Sequence, residues 1–148
     1  MRKAIVVVSG VTLLLAAGCG DERKEFREEK LAPLQQAVKD QRAQIAATLQ
    51  GLQLGDSEQA LVLEAQVERL GRIHDVIADL DPPDETEGLF ETYVDANSRL
   101  SAHLERYAAL VKAEKRAGLA RAGKAAQRAT GDIDLARVDL DLALTRGD

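Results

Sequence analysis

Residues 90–111, FETYVDANSRLSAHLERYAALV, carry the most regular pattern in the chain. Phe90, Tyr93, Asn97, Leu100, Leu104, Tyr107 and Val111 recur at steps of three and four, which aligns them in one stripe on a helix of 3.6 residues per turn. This spacing predicts a helix packed along a continuous seam. Just upstream, Asp81-Pro82-Pro83-Asp84-Glu85 ends whatever precedes it. Pro82 takes Asp81 out of the helical region, and prolines suit the first positions of a new helix. Asp84 and Glu85 favour that helix's positive end.

Working back from the prolines, Leu63, Val67, Leu70, Ile73, Ile77 and Leu80 form the seam of an earlier helix. It starts where Gly55, a C′ glycine, meets Asp56, an N-cap, with Gln59 placed as in a capping box. Before that, Leu31, Leu34, Val38, Ile45, Leu49 and Leu52 share a stripe in a helix from about Glu25 to Leu52, with Gln41 filling the gap. Pro33 is tolerated if this helix begins at Leu31 or Ala32 and would otherwise kink it. The charged run DERKEFREEK, residues 21–30, then reads as a tether of loose helical character.

After Val111 the next boundary has two solutions. A turn between Ala113 and Gly118 gives a last helix to about Leu144, with Leu119, Ala122, Ala126, Ala129, Ile133, Ala136, Leu140 and Ala143 inward. A turn at Thr130-Gly131-Asp132 instead makes the third helix very long and the fourth short. The chain is rich in strong helix formers, has four aromatic residues beyond the apolar start (Phe26, Phe90, Tyr93, Tyr107) and no tryptophan. No stretch alternates as a strand would. The predicted class is all α, an antiparallel up-down four-helix bundle over residues 31–148.

The N-terminus has another character. Arg2 and Lys3 precede an uncharged run from Ala4 to Ala17, which is short for a membrane span of roughly 20 residues but fits a signal peptide. Ala16-Ala17-Gly18-Cys19 resembles a lipobox, although leucine stands at Leu15, one place earlier than is usual. The resemblance implies cleavage after residue 18, acylation of Cys19, and residues 19–30 as lipidated cysteine and tether. Gly20 leaves either the outer face of the plasma membrane or the outer membrane open. The only cysteine is thereby consumed, so no disulfide, zinc site or catalytic thiol is built from the remainder.

Few other residues suggest chemistry. His74 and His103 lack the Glu-x-x-His setting of bundle metal sites and read as hydrogen-bonded or solvent-flanking, so no metal and no cofactor is expected. Tyr93, Asn97 and Tyr107 could line a ligand cavity, against the simpler reading of core residues with satisfied polar atoms. Lys112, Lys115, Arg116, Arg121, Lys124 and Arg128 could contact an anionic partner, against the simpler reading of a solvated face. The net charge of -5 argues against nucleic acid as a partner.

The order of lipobox, charged tether, helix pair, Leu-Asp-Pro-Pro turn and Phe-x-x-Tyr helix is similar to small helical lipoproteins of high-GC bacteria, particularly actinobacteria. This likeness implies an extracytoplasmic protein without catalysis and supplies no site residue beyond Cys19. The leading expectation is a lipid-anchored, non-enzymatic bundle in the cell envelope that presents a surface to an envelope protein or a cell-wall polymer. The alternative is a bundle that binds a small ligand or a metal. Cys19 at the membrane would leave the turns near Gly55 and Gly118 pointing away.

Overall fold

The computed structural model describes residues 18–146, with side chains from Asp21 onward. Every described element is helical: α1 (Gly18–Glu25), a π-helical segment (Phe26–Leu31), α2 (Ala32–Gly51), α3 (Ser57–Ala78), a 3-10 turn (Asp84–Thr86), α4 (Glu87–Lys112) and α5 (Leu119–Thr145). The four long helices, α2 to α5, form a bundle in which α3 packs on α2, α4 on α3 and α5 on α4. Its core is the set of seams read from the sequence, including Leu63, Leu70, Ile77, Tyr93, Leu100, Ile133 and Leu140, all almost fully buried.

Local chemistry explains the breaks. Gly55 has φ +98°, a backbone that side chains rarely adopt, and the Asp56 carboxylate accepts hydrogen bonds from the N–H groups of Glu58 and Gln59 at 3.1 and 3.0 Å. Gln59 Oε1 accepts from the Gln53 N–H, so it ties back the incoming loop rather than the cap residue itself. At the prolines, Pro83 O accepts from both the Thr86 N–H and its hydroxyl, closing the short turn that starts α4.

The turn between α4 and α5 lies at Ala113–Gly118, the first of the two solutions, and Gly131 sits inside α5. Lys115 N–H donates to Leu110 O and Glu114 N–H to Val111 O, the paired bonds of a Schellman ending. Glu114 occupies its left-handed position at φ 53°. That position usually belongs to glycine.

The charged tether is corrected. Residues 18–31 continue the helical path into α2, and Phe26 is buried against Phe90 with ring centroids 5.7 Å apart at 79°. Arg23 of α1 also pairs with Glu85 in the 3-10 turn. Phe26 and Leu31 are five residues apart and both buried, a separation that regular α-helix would put on different faces. The wider π segment brings them into phase, with the Ala32 N–H bonding to Arg27 O. Pro33, lacking an N–H, follows within the first turn of α2. The bundle therefore starts upstream of residue 31.

Two measurements test these assignments. Phe26→Ala should lower stability by about 3 kcal/mol, because it empties an aromatic site in the core; a surface tether residue would change the denaturation midpoint very little. Glu114→Gly should raise stability by about 0.5–1 kcal/mol, since relief of left-handed strain exceeds the added flexibility of the unfolded chain.

Candidate functional site

The main concavity lies between α2 and α5, with α4 as its floor. It arises because α2 packs on α3 and α5 packs on α4, while α2 and α5 approach each other only sparsely. Small residues line both walls, Ala43 and Ala46 on α2, Gly123 and Ala126 on α5. The helices nevertheless stay apart, and a groove of about 1110 Å³ remains. Such a volume lies just above the roughly 300–1,000 Å³ of most ligand sites.

Polar side chains, not apolar packing, link the two walls. Gln35 Nε2 donates to Asp141 Oδ1 at 3.3 Å, and Arg42 Nη1 donates to Asp134 Oδ1 at 3.2 Å. The two links are seven residues apart on each helix. Arg137 is held by Asp141 at 3.3 Å, whereas Lys39, also on the groove wall, makes no ion pair among the described residues.

The three residues singled out for a cavity divide. Tyr93 and Tyr107 line the groove; Asn97 does not, being buried behind it. Asn97 Nδ2 donates to Tyr93 O at 2.9 Å, and its Oδ1 is buried without a partner among the described residues. Burial raises the Tyr93 phenol above its ordinary pKa, so this hydroxyl remains neutral and able both to donate and to accept. The residues that sequence reasoning missed are those of the rim, Gln35, Lys39, Arg42, Asp134 and Arg137. The signal available for them was the matched seven-residue spacing of Gln35 with Arg42 and of Asp134 with Asp141.

His74 lies inside the bundle, 5% exposed, with Nδ1 2.7 Å from Ser101 Oγ and Nε2 without a partner among the described residues. The seam prediction placed Ile73 inward. Both positions fit the period, and the structure buries His74 fully and Ile73 partly. His103 is half-buried on α4. Among the described residues, no three His, Cys, Asp or Glu side chains are grouped to hold a metal ion.

Of the basic run, Lys112 pairs with Glu64 of α3 at 2.8 Å. Lys115, Arg116, Arg121, Lys124 and Arg128 are exposed, and none of them pairs with a carboxylate among the described residues. Further along α5, Leu135, Val138 and Leu142 are also exposed, at 69, 46 and 50%. Cys19 is described only as a backbone position in α1, and residues 1–17 of the expected signal peptide lie outside the described residues. No described helix is long and apolar enough to cross a membrane. Comparison with family models, with curated proteins and with solved structures returns no match to this chain.

His74 also sets a pH dependence. Its pKa is lowered to about 4, chiefly by burial, with Arg42 lowering it and Asp75 opposing. The unfolded chain, with a histidine pKa near 6.5, then binds more protons than the folded one in this interval, so stability falls as pH falls through it. The expected loss between pH 7 and pH 4 is about 3 kcal/mol. In His74→Gln the part of the slope between pH 6.5 and 4 should flatten; an unchanged slope in denaturant titrations would contradict the assignment.

Proposed function

We propose that this protein is a lipid-anchored, extracytoplasmic helical bundle, non-enzymatic, whose task is to bind a ligand in the groove between α2 and α5. The groove is the observation that carries the reading: a volume of about 1110 Å³ with two tyrosines in its lining. It moves the balance from a surface-presenting protein to a binding protein. The helices are taken as antiparallel, up-down neighbours. The pairs Glu64–Lys112 and His74–Ser101 support this, since numbers rise along α3 as they fall along α4.

The lipid anchor rests on the lipobox at Ala16–Cys19 and on the likeness to actinobacterial helical lipoproteins. Position in the fold agrees with it. Arg23–Glu85 and Phe26–Phe90 set α1 at the Pro82–Pro83 end, so a membrane at Cys19 would face that end and leave the α4–α5 turn outward.

A second reading uses this outward turn. Five exposed cations at this turn and in the start of α5, Lys115, Arg116, Arg121, Lys124 and Arg128, form no ion pair among the described residues and suit an anionic cell-wall polymer or an acidic envelope protein. The two readings are compatible, because the cations are not part of the groove lining.

Cells fed labelled palmitate should incorporate it into the wild type and not into Cys19→Ala; equal labelling overturns the anchor. For the groove, the full chain purified from membranes should release a small molecule on solvent extraction. Ala46→Phe, which fills the groove, should carry about tenfold less of it. Equal amounts in both proteins, or none in either, overturn the binding reading.

A further inference from the structure

The groove is chemically divided along its length. The links Gln35–Asp141 and Arg42–Asp134 set residues 35–42 of α2 beside residues 134–141 of α5, and so set residues 43–49 beside residues 127–133. All the charged residues of the lining, Lys39, Arg42, Asp134 and Arg137, lie in the first half. The second half, which includes Ile45, Leu49, Leu104, Gly123 and Ala126, carries no charge. From Ala32 to Leu49 the groove runs for about 25 Å along α2.

Charge and width restrict the occupant further. At the charged end, cations exceed carboxylates by one even when Asp141 is included, within a chain whose net charge is -5. Lys39 has no carboxylate partner among the described residues, while Arg42 and Arg137 are already aligned by theirs. The links at 3.2 and 3.3 Å join the two walls of the groove at two points. A helix about 10 Å across would have to break both.

We infer that the groove binds a single-chain anionic amphiphile. Its carboxylate or phosphate sits between Lys39, Arg42 and Arg137, on the side of the groove lined by Tyr93, and its tail lies on Ile45, Leu49 and Leu104 toward the α4–α5 turn. The inference rests on the binding reading above and names the ligand class for it.

The test uses the full chain in its own membranes and three hexadecyl probes with a terminal diazirine: palmitate, an alkyltrimethylammonium and an uncharged monoglyceride. After irradiation, labelled residues are mapped by mass spectrometry. The expected result is palmitate labelling concentrated at Ile45, Leu49 and Leu104, and displaced by unlabelled palmitate. Ala46→Phe should lower it about tenfold, and Lys39→Glu should lower it about fivefold. Leu61→Phe, on the exposed side of α3, should leave it unchanged. Because Lys39 is a surface residue, its variant decides the matter if Ala46→Phe does not fold.

If the cationic or uncharged probe labels the groove as strongly as palmitate, the anionic class is overturned and the binding site stands. Labelling no stronger in the groove than at Leu61 and Val62 for all three probes overturns both. A bifunctional amine cross-linker that joins Lys39 to another polypeptide, where palmitate leaves the groove unlabelled, marks a protein occupant and overturns the proposal.

Discussion

The seam of α4, from Phe90 to Val111, is packed by α3 on one flank and by α5 on the other, and the remaining features follow from how those flanks are filled. Alanine supplies much of the α5 contact face, at Ala122, Ala126, Ala129 and Ala136, so α5 can lie close to α4. Close approach there draws α5 inward, while α2 is held by α3. The space between them is left above Tyr93, Leu100, Leu104 and Tyr107, so that one seam serves as core along its flanks and as floor of the groove.

Polar groups inside the bundle give this arrangement its uniqueness. Gln41 is buried on α2 and donates to the Gln66 carbonyl of α3 at 3.0 Å, and His74 meets Ser101 across the α3–α4 contact. Each such bond is satisfied in one register and lost in a slipped one, where the cost of an unpaired buried group would appear in full. Apolar seams of leucine and alanine tolerate sliding by a turn. Buried amides and imidazoles do not.

The end of the bundle nearest the prolines is closed by an aromatic pair and an ion pair, Phe26–Phe90 and Arg23–Glu85. A lipid on Cys19 would then attach through a helix docked on the domain, not through a slack linker. Under the proposed function, this makes the distance and direction of the groove from the membrane properties of the fold.

Periodicity and breakers in the sequence determined the helical class, the turns at Gly55–Asp56 and Pro82–Pro83, and most of the buried positions, because these depend on neighbours within a few residues. Sequence also narrowed the last turn to two places, and the Schellman bonds at Leu110–Lys115 chose between them. Tertiary structure alone decided that Phe26 belongs to the core, since a single aromatic among nine charged residues becomes buried only when Phe90 is there to receive it. It decided likewise that His74 turns inward and that Asn97 lies behind the groove while Tyr93 and Tyr107 face it. The groove itself is a gap between helices about ninety residues apart in the chain, linked by Arg42 and Asp134. A hydrophobic period records which face of a helix is buried, but not how far that face stands from its neighbour.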